Sequence, residues 1–190
     1  MKYYYHGSCT PGIVQLEARS RLHNTGEKVV YLTDSIPYAL LYLWDSEHNK
    51  CSNKHVSGWA KNDIAYYEEQ FPDQLKTFYQ GVSGYLYCIP ENASIKPVEN
   101  LAMFYSTTDV TVAETIFIPD VYEELLKYEA EGKFVVFRYN ELSPERQNEL
   151  VDLIAKDIIH AEFYVENEQK QAFMKKHFSK SWEKAELLMV

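Results

Sequence analysis

Short apolar stretches separated by polar turns predict several strands along the chain. In the segment 28–33 (KVVYLT), Val29 and Tyr31 fall on one face and Val30 and Leu32 on the other, which is the period of two that is typical of a strand. Further strands are predicted at 2–5, 84–89, 101–107, 110–118 and 133–139. The first of these runs into the stretch HGSCTPG, whose glycines and proline end a strand.

Helical segments are predicted between these strands. The segment 36–45 (IPYALLYLWD) has Asp34 or Ser35 as its N-cap and a proline in its first turn, both of which favour a helix start. The segment 61–81 is predicted to be helical with an interruption at Pro72, because proline breaks the hydrogen-bond ladder of a helix.

The last third of the chain reads as helical apart from one strand. The segment 119–132 begins with proline and ends at Gly132, as a helix does. A second helix starts at Ser143, which is followed by Pro-Glu-Arg. Its apolar stripe consists of Leu150, Leu153, Ile154 and Ile158.

These elements predict an α+β fold. Residues 1–142 are expected to form a β-sheet core with flanking helices, and residues 143–190 a C-terminal helical annex packed on the same domain. The segment 12–21 (GIVQLEARSR) is predicted to form at most a short helix or turn. Neither a Gly-x-Gly-x-x-Gly pattern nor a Walker loop occurs, so the sequence argues against a Rossmann or P-loop nucleotide site.

The charge of the chain limits its partners. Its 190 residues include 19 Lys and Arg and 28 Asp and Glu, which gives a net charge of −9. Such a chain repels the phosphate backbone at long range, so no extended nucleic-acid binding is expected. A small cationic pocket for one anionic ligand remains compatible with this charge.

Cysteine usage and hydropathy suggest the compartment. No signal-peptide pattern and no apolar run of membrane-spanning length occur, so no membrane partner is expected. The odd number of widely spaced cysteines, Cys9, Cys51 and Cys88, fits a reduced cytoplasmic setting better than a disulfide framework.

Two groups of reactive residues are candidates for chemistry. His48, Cys51 and His55 have metal-ligand spacing, but His23 and Cys88 are unsupported as a fourth ligand, so we predict no metal site. Cys9 follows His6 by three residues, but a turn rarely aims such neighbours at each other, and nothing nearby activates the thiol. Cys9 is therefore interpreted as an inert cysteine.

Three further motifs carry a resemblance when they are taken together and in order. They are YHGS (5–8) at the end of the first strand, VYLTDSIPYALLYL (30–43) across the second strand and its helix, and AETIFIP (113–119), which places an acid at the start of an apolar strand. This pattern resembles the His-Tyr-Glu branch of the ADP-ribosyltransferase superfamily. That branch includes diphtheria-toxin-like toxins, poly(ADP-ribose) polymerases and tRNA 2′-phosphotransferases. The resemblance covers residues 1 to about 140.

The resemblance implies a split, mixed or antiparallel β-sheet core and NAD as the substrate. It implies that Glu114 is a catalytic residue that holds the ribose 2′-hydroxyl as positive charge develops on the ribose. Tyr31 would stack on the nicotinamide, and His6 would bind ribose hydroxyls. The NAD-binding set that the resemblance implies is His6, Gly7, Ser8, Arg21, Tyr31 and Thr33, with Arg19 and Arg21 as partners of the pyrophosphate.

The expected activity is cleavage of the nicotinamide-ribose bond and transfer of ADP-ribose to an acceptor, which is a protein, nucleic acid or small molecule. Val112 stands two residues before Glu114, where arginine-modifying toxins carry glutamate or glutamine, so arginine is not favoured as the acceptor. Two alternatives remain open: an NAD glycohydrolase, with water as the acceptor, and a catalytically silent binding module.

Overall fold

The chain has a mixed α+β architecture with antiparallel sheets and several helices. A computed structural model describes residues 2–22, 25–43, 58–99, 101–162, 165 and 168–189. Its strands are β1 (Tyr3–Ser8), β2 (Gln15–Leu16), β3 (Ser20–Arg21), β4 (Lys28–Leu32), β5 (Gly58–Lys61), β6 (Ile64–Glu68), β7 (Gly84–Pro90), β8 (Lys96–Pro97), β9 (Phe104–Ser106), β10 (Val110–Thr111), β11 (Glu114–Ile118) and β12 (Phe134–Phe137). Its α-helices are α1 (Ile36–Leu40), α2 (Gln74–Tyr79), α3 (Val121–Ala130), α4 (Pro144–His160), α5 (Glu168–His177) and α6 (Ser179–Met189).

The described residues form two compact units. The first unit comprises the described parts of 2–43, 58–67 and 79–136, and the second comprises 68–78 and the described parts of 137–189. Strand orders in the sheets are β1-β7-β11, β3-β4-β9-β8, β12-β6-β5 and β10-β2.

The core of the first unit contains side chains from alternate positions of its strands, which accounts for the period of two in the sequence. Buried side chains from alternate positions of β1, β4 and β7 pack together with residues of β2 and β10. The members of this cluster are Tyr4, Leu16, Val30, Leu32, Tyr87, Ile89 and Val110. Val30 and Leu32 thus occupy the same face of β4, as the alternating pattern predicts.

Two of the main sheets meet at a single pair of residues. Tyr5 in β1 and Thr33 after β4 exchange two backbone hydrogen bonds, with N···O distances of 2.7 and 3.1 Å. Beyond this bridge β1 pairs with β7, whereas β4 pairs with β9. The two strands therefore diverge immediately after they meet, and the divergence leaves space beside His6 and Tyr31.

Local capping chemistry sets several helix ends as the sequence predicts. The hydroxyl of Ser35 accepts the N–H of Tyr38 at the start of α1, and that of Ser143 accepts the N–H of Arg146 at the start of α4. The backbone of Gly132 has a φ of 71° just after α3, a conformation that glycine adopts without steric cost.

The prediction of a helix across 61–81 is wrong for its first half. β5 and β6 form a hairpin there, and its turn residues Asn62 and Asp63 have φ values of 51° and 63°. Asn and Asp tolerate this conformation better than other non-glycine residues, which favours a tight hairpin turn. Ala65 and Tyr67 are buried at a period of two, so the apolar positions belong to a strand, and only α2 is helical.

Two smaller predictions also differ from the structure. The segment 12–21 contains the two short strands β2 and β3 rather than a helix or turn. The strand predicted over 110–118 is interrupted, because β10 pairs with β2 whereas β11 pairs with β7.

The second unit contains α4, α5, α6 and most of α2. The side chains of Phe71, Phe78, Phe173 and Phe178 pack edge-on or stacked against one another. Arg146 holds both carboxylate oxygens of Glu68 at 2.9 and 2.8 Å. Within the described part of the chain, no helix has the length and hydropathy needed to cross a bilayer.

Candidate functional site

A cavity of about 220 Å³ lies in the first unit where β1 and β4 diverge. His6 and Gly7 of β1 line one side of it, and Tyr31 and Thr33 of the β4 segment line another. The remaining lining residues are Tyr5, Ser20, Leu32, Tyr38, Ala39, Tyr42 and Met103. The structure therefore brings His6 and Gly7 together with Tyr31 and Thr33, about 25 residues further along the chain, and all four belong to the NAD-binding set that the resemblance implies.

The side chain of His6 bridges the diverging strands. Its Nδ1 lies 3.0 Å from the backbone oxygen of Tyr31. A carbonyl oxygen only accepts, so Nδ1 carries the proton and donates. This bond fixes the tautomer, and Nε2 of a neutral ring is left with a lone pair that accepts a hydrogen bond. The arrangement suits a ligand hydroxyl that donates to Nε2.

The surroundings of His6 favour its neutral form. Burial lowers the pKa of the ring below its ordinary value of 6.5, and the bond to the Tyr31 carbonyl opposes this effect only in part. The Nε2 lone pair is therefore present at neutral pH, as a hydrogen-bond acceptor must be.

We expect a proton titration of His6, followed by NMR, to have its midpoint below 6.5 in the folded protein and near 6.5 in the urea-unfolded chain. As the pH falls below 6.5, the unfolded chain takes up this proton before the folded chain does. The contribution of His6 to the free energy of unfolding therefore decreases as the pH falls from 6.5 towards the folded-state pKa. A folded-state midpoint at or above 6.5 would contradict this environment.

Tyrosine side chains form the aromatic wall of the cavity. The Tyr31 hydroxyl donates to the backbone oxygen of Arg21 at 3.1 Å, which holds the ring in place. Tyr38 and Tyr42 of the α1 segment meet edge to face, with ring centroids 5.5 Å apart, and their hydroxyls are hydrogen-bonded at 3.1 Å. Neither Tyr38 nor Tyr42 belongs to the site residues that were expected from the sequence. Their i, i+4 spacing directly after β4 is the signal that would have indicated them.

Gly7 allows α1 to approach β1 closely. A Cβ atom at this position would lie 2.3 Å from the backbone oxygen of Ala39 and 3.3 Å from Cγ of Leu43. No side chain fits that gap, so the glycine is required by packing. It also leaves the β1 backbone bare where it lines the cavity.

A larger groove of about 640 Å³ adjoins the cavity and shares His6, Ser20 and Tyr31 with it. Ser8 and Arg19 also line this groove. Polar and apolar residues of the segment 10–17 and of β4 complete the lining. The His6–Tyr31 contact therefore lies between a small aromatic compartment and a larger one of mixed polar and apolar lining.

Glu114 does not lie with His6 and Tyr31. It is exposed at the start of β11 and pairs with Cys88 of β7, which in turn pairs with Tyr5 of β1. Paired residues of antiparallel strands share a face, so Glu114 belongs to the row of Tyr5 and Cys88. Its charge helps to raise the pKa values of the Tyr5 hydroxyl and the Cys88 thiol, although burial is the larger cause for both groups.

The resemblance implies that Glu114 acts on the same ligand as His6 and Tyr31, but Glu114 and His6 occupy different rows of the sheet. His6 belongs to the neighbouring row of the sheet, with Tyr87 and Thr115, whose side chains point to the opposite face. Two strand spacings, about 10 Å, separate β11 from β1. Glu114 is not one of the described residues that line the cavity or the groove.

Ser8 and Thr33 of the expected NAD-binding set differ in whether their hydroxyls are engaged within the protein. Ser8 lines the larger groove, and its hydroxyl accepts the N–H of Thr10. The Thr33 hydroxyl is occupied, because it accepts the N–H of Ser35 and donates to the Ala102 carbonyl at 3.4 Å.

The two arginines expected at the pyrophosphate also differ. Arg21 donates to the Gly26 carbonyl and is not among the described residues that line either compartment. Arg19 lines the larger groove and is held by Glu17 at 2.8 Å.

The candidate zinc ligands His48, Cys51 and His55 lie outside the described residues, and so does His23, which the sequence offered as an unsupported fourth ligand. In the described ranges, no group of three or more His, Cys, Asp or Glu side chains is arranged to hold a metal ion. Cys88 is buried in the β1-β7-β11 sheet beside Glu114, and Cys9 is half-buried and in no disulfide.

Comparisons with models of protein families, with curated proteins and with solved structures gave no match for this chain.

Proposed function

We propose that this protein binds NAD in the cleft formed by the small cavity and the larger groove, and that it does so without cleaving the nicotinamide-ribose bond. The observation that carries the proposal is the hydrogen bond from His6 Nδ1 to the Tyr31 backbone. It orients a neutral imidazole at the junction of the two compartments. The order of the motifs around His6 and Tyr31, which resembles that of ADP-ribosyltransferases, supports NAD as the ligand.

The small compartment suits the nicotinamide ring. Its volume of about 220 Å³ is below the roughly 300–1,000 Å³ of pockets that enclose a whole drug-sized ligand. The rings of Tyr31, Tyr38 and Tyr42 give it aromatic walls on which a flat ring stacks. The bare backbone at Gly7 gives a carboxamide access to main-chain hydrogen-bonding groups.

The larger groove suits the remainder of the dinucleotide. Its volume of about 640 Å³ falls within the range of ligand pockets. Arg19 is the cation that lines it in the described part of the chain, and the pyrophosphate would compete with Glu17 for the guanidinium. The ribose next to the nicotinamide would then lie at the junction, where its hydroxyl donates to Nε2 of His6.

The position of Glu114 supports the proposal of binding without cleavage. Catalysis of this reaction requires a carboxylate that binds the ribose more strongly as positive charge develops on it. Glu114 was the acid expected in this role, but it is not among the described residues that line the cleft, and β11 lies about 10 Å across the sheet from β1. The geometry therefore favours the silent binding module among the alternatives that the sequence left open.

Two measurements test the proposal. Isothermal titration calorimetry with NAD should give saturable binding, whereas AMP, which lacks the nicotinamide half, should bind more weakly. Prolonged incubation with NAD should release no nicotinamide above the rate in buffer, as measured by chromatography. Absence of NAD binding would overturn the proposal, and enzyme-dependent release of nicotinamide would replace it with the glycohydrolase or transferase alternative.

Replacing Glu114 by glutamine is expected to leave the affinity for NAD within about twofold of that of the parent protein. The side chain is exposed and lies about 10 Å across the sheet from β1, so the substitution removes no contact with the cleft. Calorimetry of both proteins provides the comparison, with the His6 variants described below as the sensitive counterpart. A loss of affinity of tenfold or more would show that Glu114 reaches the ligand.

A further inference from the structure

The strand β11 forms one edge of the sheet β1-β7-β11. Among the described residues, no strand pairs with its outer side. β7 and β1 lie between this edge and β4, and no residue of β11 lines the proposed NAD cleft. An open edge of this kind presents backbone donors and acceptors to its surroundings, so it is a surface on which another strand can pair.

The pairing of the sheet determines which backbone groups of β11 point inwards. Tyr5 exchanges its backbone hydrogen bonds with Thr33, so the N–H and C=O of Tyr5 point away from β7. Directly opposed residues of antiparallel strands either exchange hydrogen bonds or both point away from each other. Cys88, the partner of Tyr5, therefore points its groups towards β11 and towards its partner there, Glu114. The hydrogen bond from the N–H of Ala113 to the Cys88 oxygen, at 2.9 Å, has this direction.

Thr115 and Phe117 are the residues of β11 whose N–H and C=O groups point out of the sheet, because these groups alternate in direction along a strand. Neither residue has a backbone hydrogen bond to another described element on that side. The strand also lacks the features that prevent pairing at many edges, since it contains no lysine and no proline and four of its five residues are exposed. Two donors and two acceptors are therefore available to an added strand.

Apolar side chains accompany these backbone groups on both faces of β11. Phe117 is 55% exposed, and its ring lies against that of Tyr85 with the centroids 5.3 Å apart. Ile116 is 36% exposed and points to the opposite face of the strand. Opposed side chains of neighbouring strands pack together, so an added strand with β-branched residues would cover both side chains. The edge therefore fits an extended segment with a β-branched centre.

The charges around β11 indicate which ends such a segment needs. The stretch 109–126 contains five acids and neither lysine nor arginine. Two of these acids flank the strand, since Glu114 is its first residue and Asp120 comes two residues after its end. A second copy of this chain would bring the same acids against the edge and no cation to offset them. A segment with lysine or arginine at both ends has the complementary charge.

We propose that the outer edge of β11 is a docking site for an extended segment of another protein, with β-branched residues at its centre and lysine or arginine at both ends. The segment adds a strand to the sheet β1-β7-β11 and exchanges backbone hydrogen bonds with Thr115 and Phe117. Its basic ends then lie near Glu114 and Asp120. The backbone pairing supplies affinity, and the basic ends discriminate against acidic segments.

The proposal is tested on the full chain with three fluorescein-labelled peptides. The first is Lys-Lys-Thr-Val-Thr-Val-Thr-Lys-Lys. The second has glutamate in place of every lysine, and the third keeps the lysines but has glycine or serine at the central positions. Fluorescence anisotropy should show that the first peptide binds at least about tenfold more tightly than either of the others. Absence of binding by the first peptide would overturn the proposal, as would an equal affinity for the second or the third.

Hydrogen exchange followed by NMR locates the added strand. In the free protein, the amide hydrogens of Thr115 and Phe117 should exchange faster than that of Ile116, which points towards β7. A saturating amount of the first peptide should slow the two outward amides at least about tenfold and leave Ile116 unchanged. Unaltered exchange at Thr115 and Phe117 would contradict the proposal. Slowing that depends on protein concentration, without peptide, would assign the edge to a second copy of the chain instead.

Two substitutions at one position separate backbone pairing from side-chain effects. Thr115→Pro removes an N–H that points out of the sheet, which a sheet edge tolerates, and should weaken binding of the first peptide at least about tenfold. Thr115→Val retains the N–H and should keep the affinity within about twofold. Phe117→Lys keeps both backbone groups but adds a like charge, and should weaken binding about fivefold. Circular dichroism verifies folding. Unchanged affinity in Phe117→Lys, or in folded Thr115→Pro, would overturn the proposal.

Discussion

Replacing Gly7 by alanine is expected to lower the free energy of unfolding by about 3 kcal/mol, the upper range for forcing an extra methyl group into a packed interior. The new Cβ would lie 2.3 Å from the backbone oxygen of Ala39, and backbone does not move aside as the end of a flexible side chain does. Either α1 shifts away from β1 or the strand bends, and both changes distort the small cavity. Urea denaturation, monitored by circular dichroism, measures the loss.

Gly12 provides a matched control for this substitution. It has a φ of 72°, and a Cβ there meets no atom within 4 Å. Gly12→Ala therefore incurs only the strain of a left-handed backbone, about 1 kcal/mol. Equal losses in the two variants would show that close packing against α1 is not what requires glycine at position 7.

Replacing His6 by alanine is expected to weaken NAD binding about thirtyfold, which corresponds to about 2 kcal/mol. The substitution removes the Nε2 acceptor that we propose for the ribose, and it also removes the Nδ1 donor that ties β1 to the Tyr31 carbonyl. Isothermal titration calorimetry measures the affinity, and circular dichroism verifies that the variant remains folded.

Two further variants separate the local roles of His6 from a general effect of losing a histidine. His6→Asn keeps an N–H donor near the Tyr31 carbonyl but lacks the ring nitrogen at the ligand position, so it should restore stability more than affinity. His160→Ala removes an exposed histidine at the end of α4 and should leave the affinity unchanged. Unaltered NAD affinity in His6→Ala would contradict the proposed site.

The sequence was informative wherever a structural feature depends on neighbours along the chain. Alternation in KVVYLT predicted that Val30 and Leu32 share one face of β4. The sequence also predicted Asp34 or Ser35 as the N-cap of α1 and a helix start at Ser143. The same local reasoning failed at 61–68. A tyrosine-rich strand and a helix offer similar apolar content there. The left-handed turn at Asn62 and Asp63 and the alternate burial of Ala65 and Tyr67 distinguish them in the structure.

The proximity of His6 and Tyr31 was expected from the order of the motifs, but its physical basis was not. The contact runs from the imidazole to a backbone oxygen, and backbone acceptors leave no signature in a sequence. Tyr38 and Tyr42 were not predicted for a related reason. Their role depends on how α1 lies over Gly7, which is a property of packing between elements.

The position of Glu114 shows most clearly what the sequence did not determine. An acid at the start of an apolar strand is visible in the sequence, and the structure indeed has β11 beginning at that residue. Whether its carboxylate reaches the cavity depends on which strands β11 adjoins and in which register. A shift of one residue in the pairing of β11 with β7 would move Glu114 to the face that His6 occupies. Strand periodicity and helix capping depend on residues that are close together along the chain. Strand order and register depend on contacts between residues far apart in the chain, so only the tertiary structure determines strand order and register.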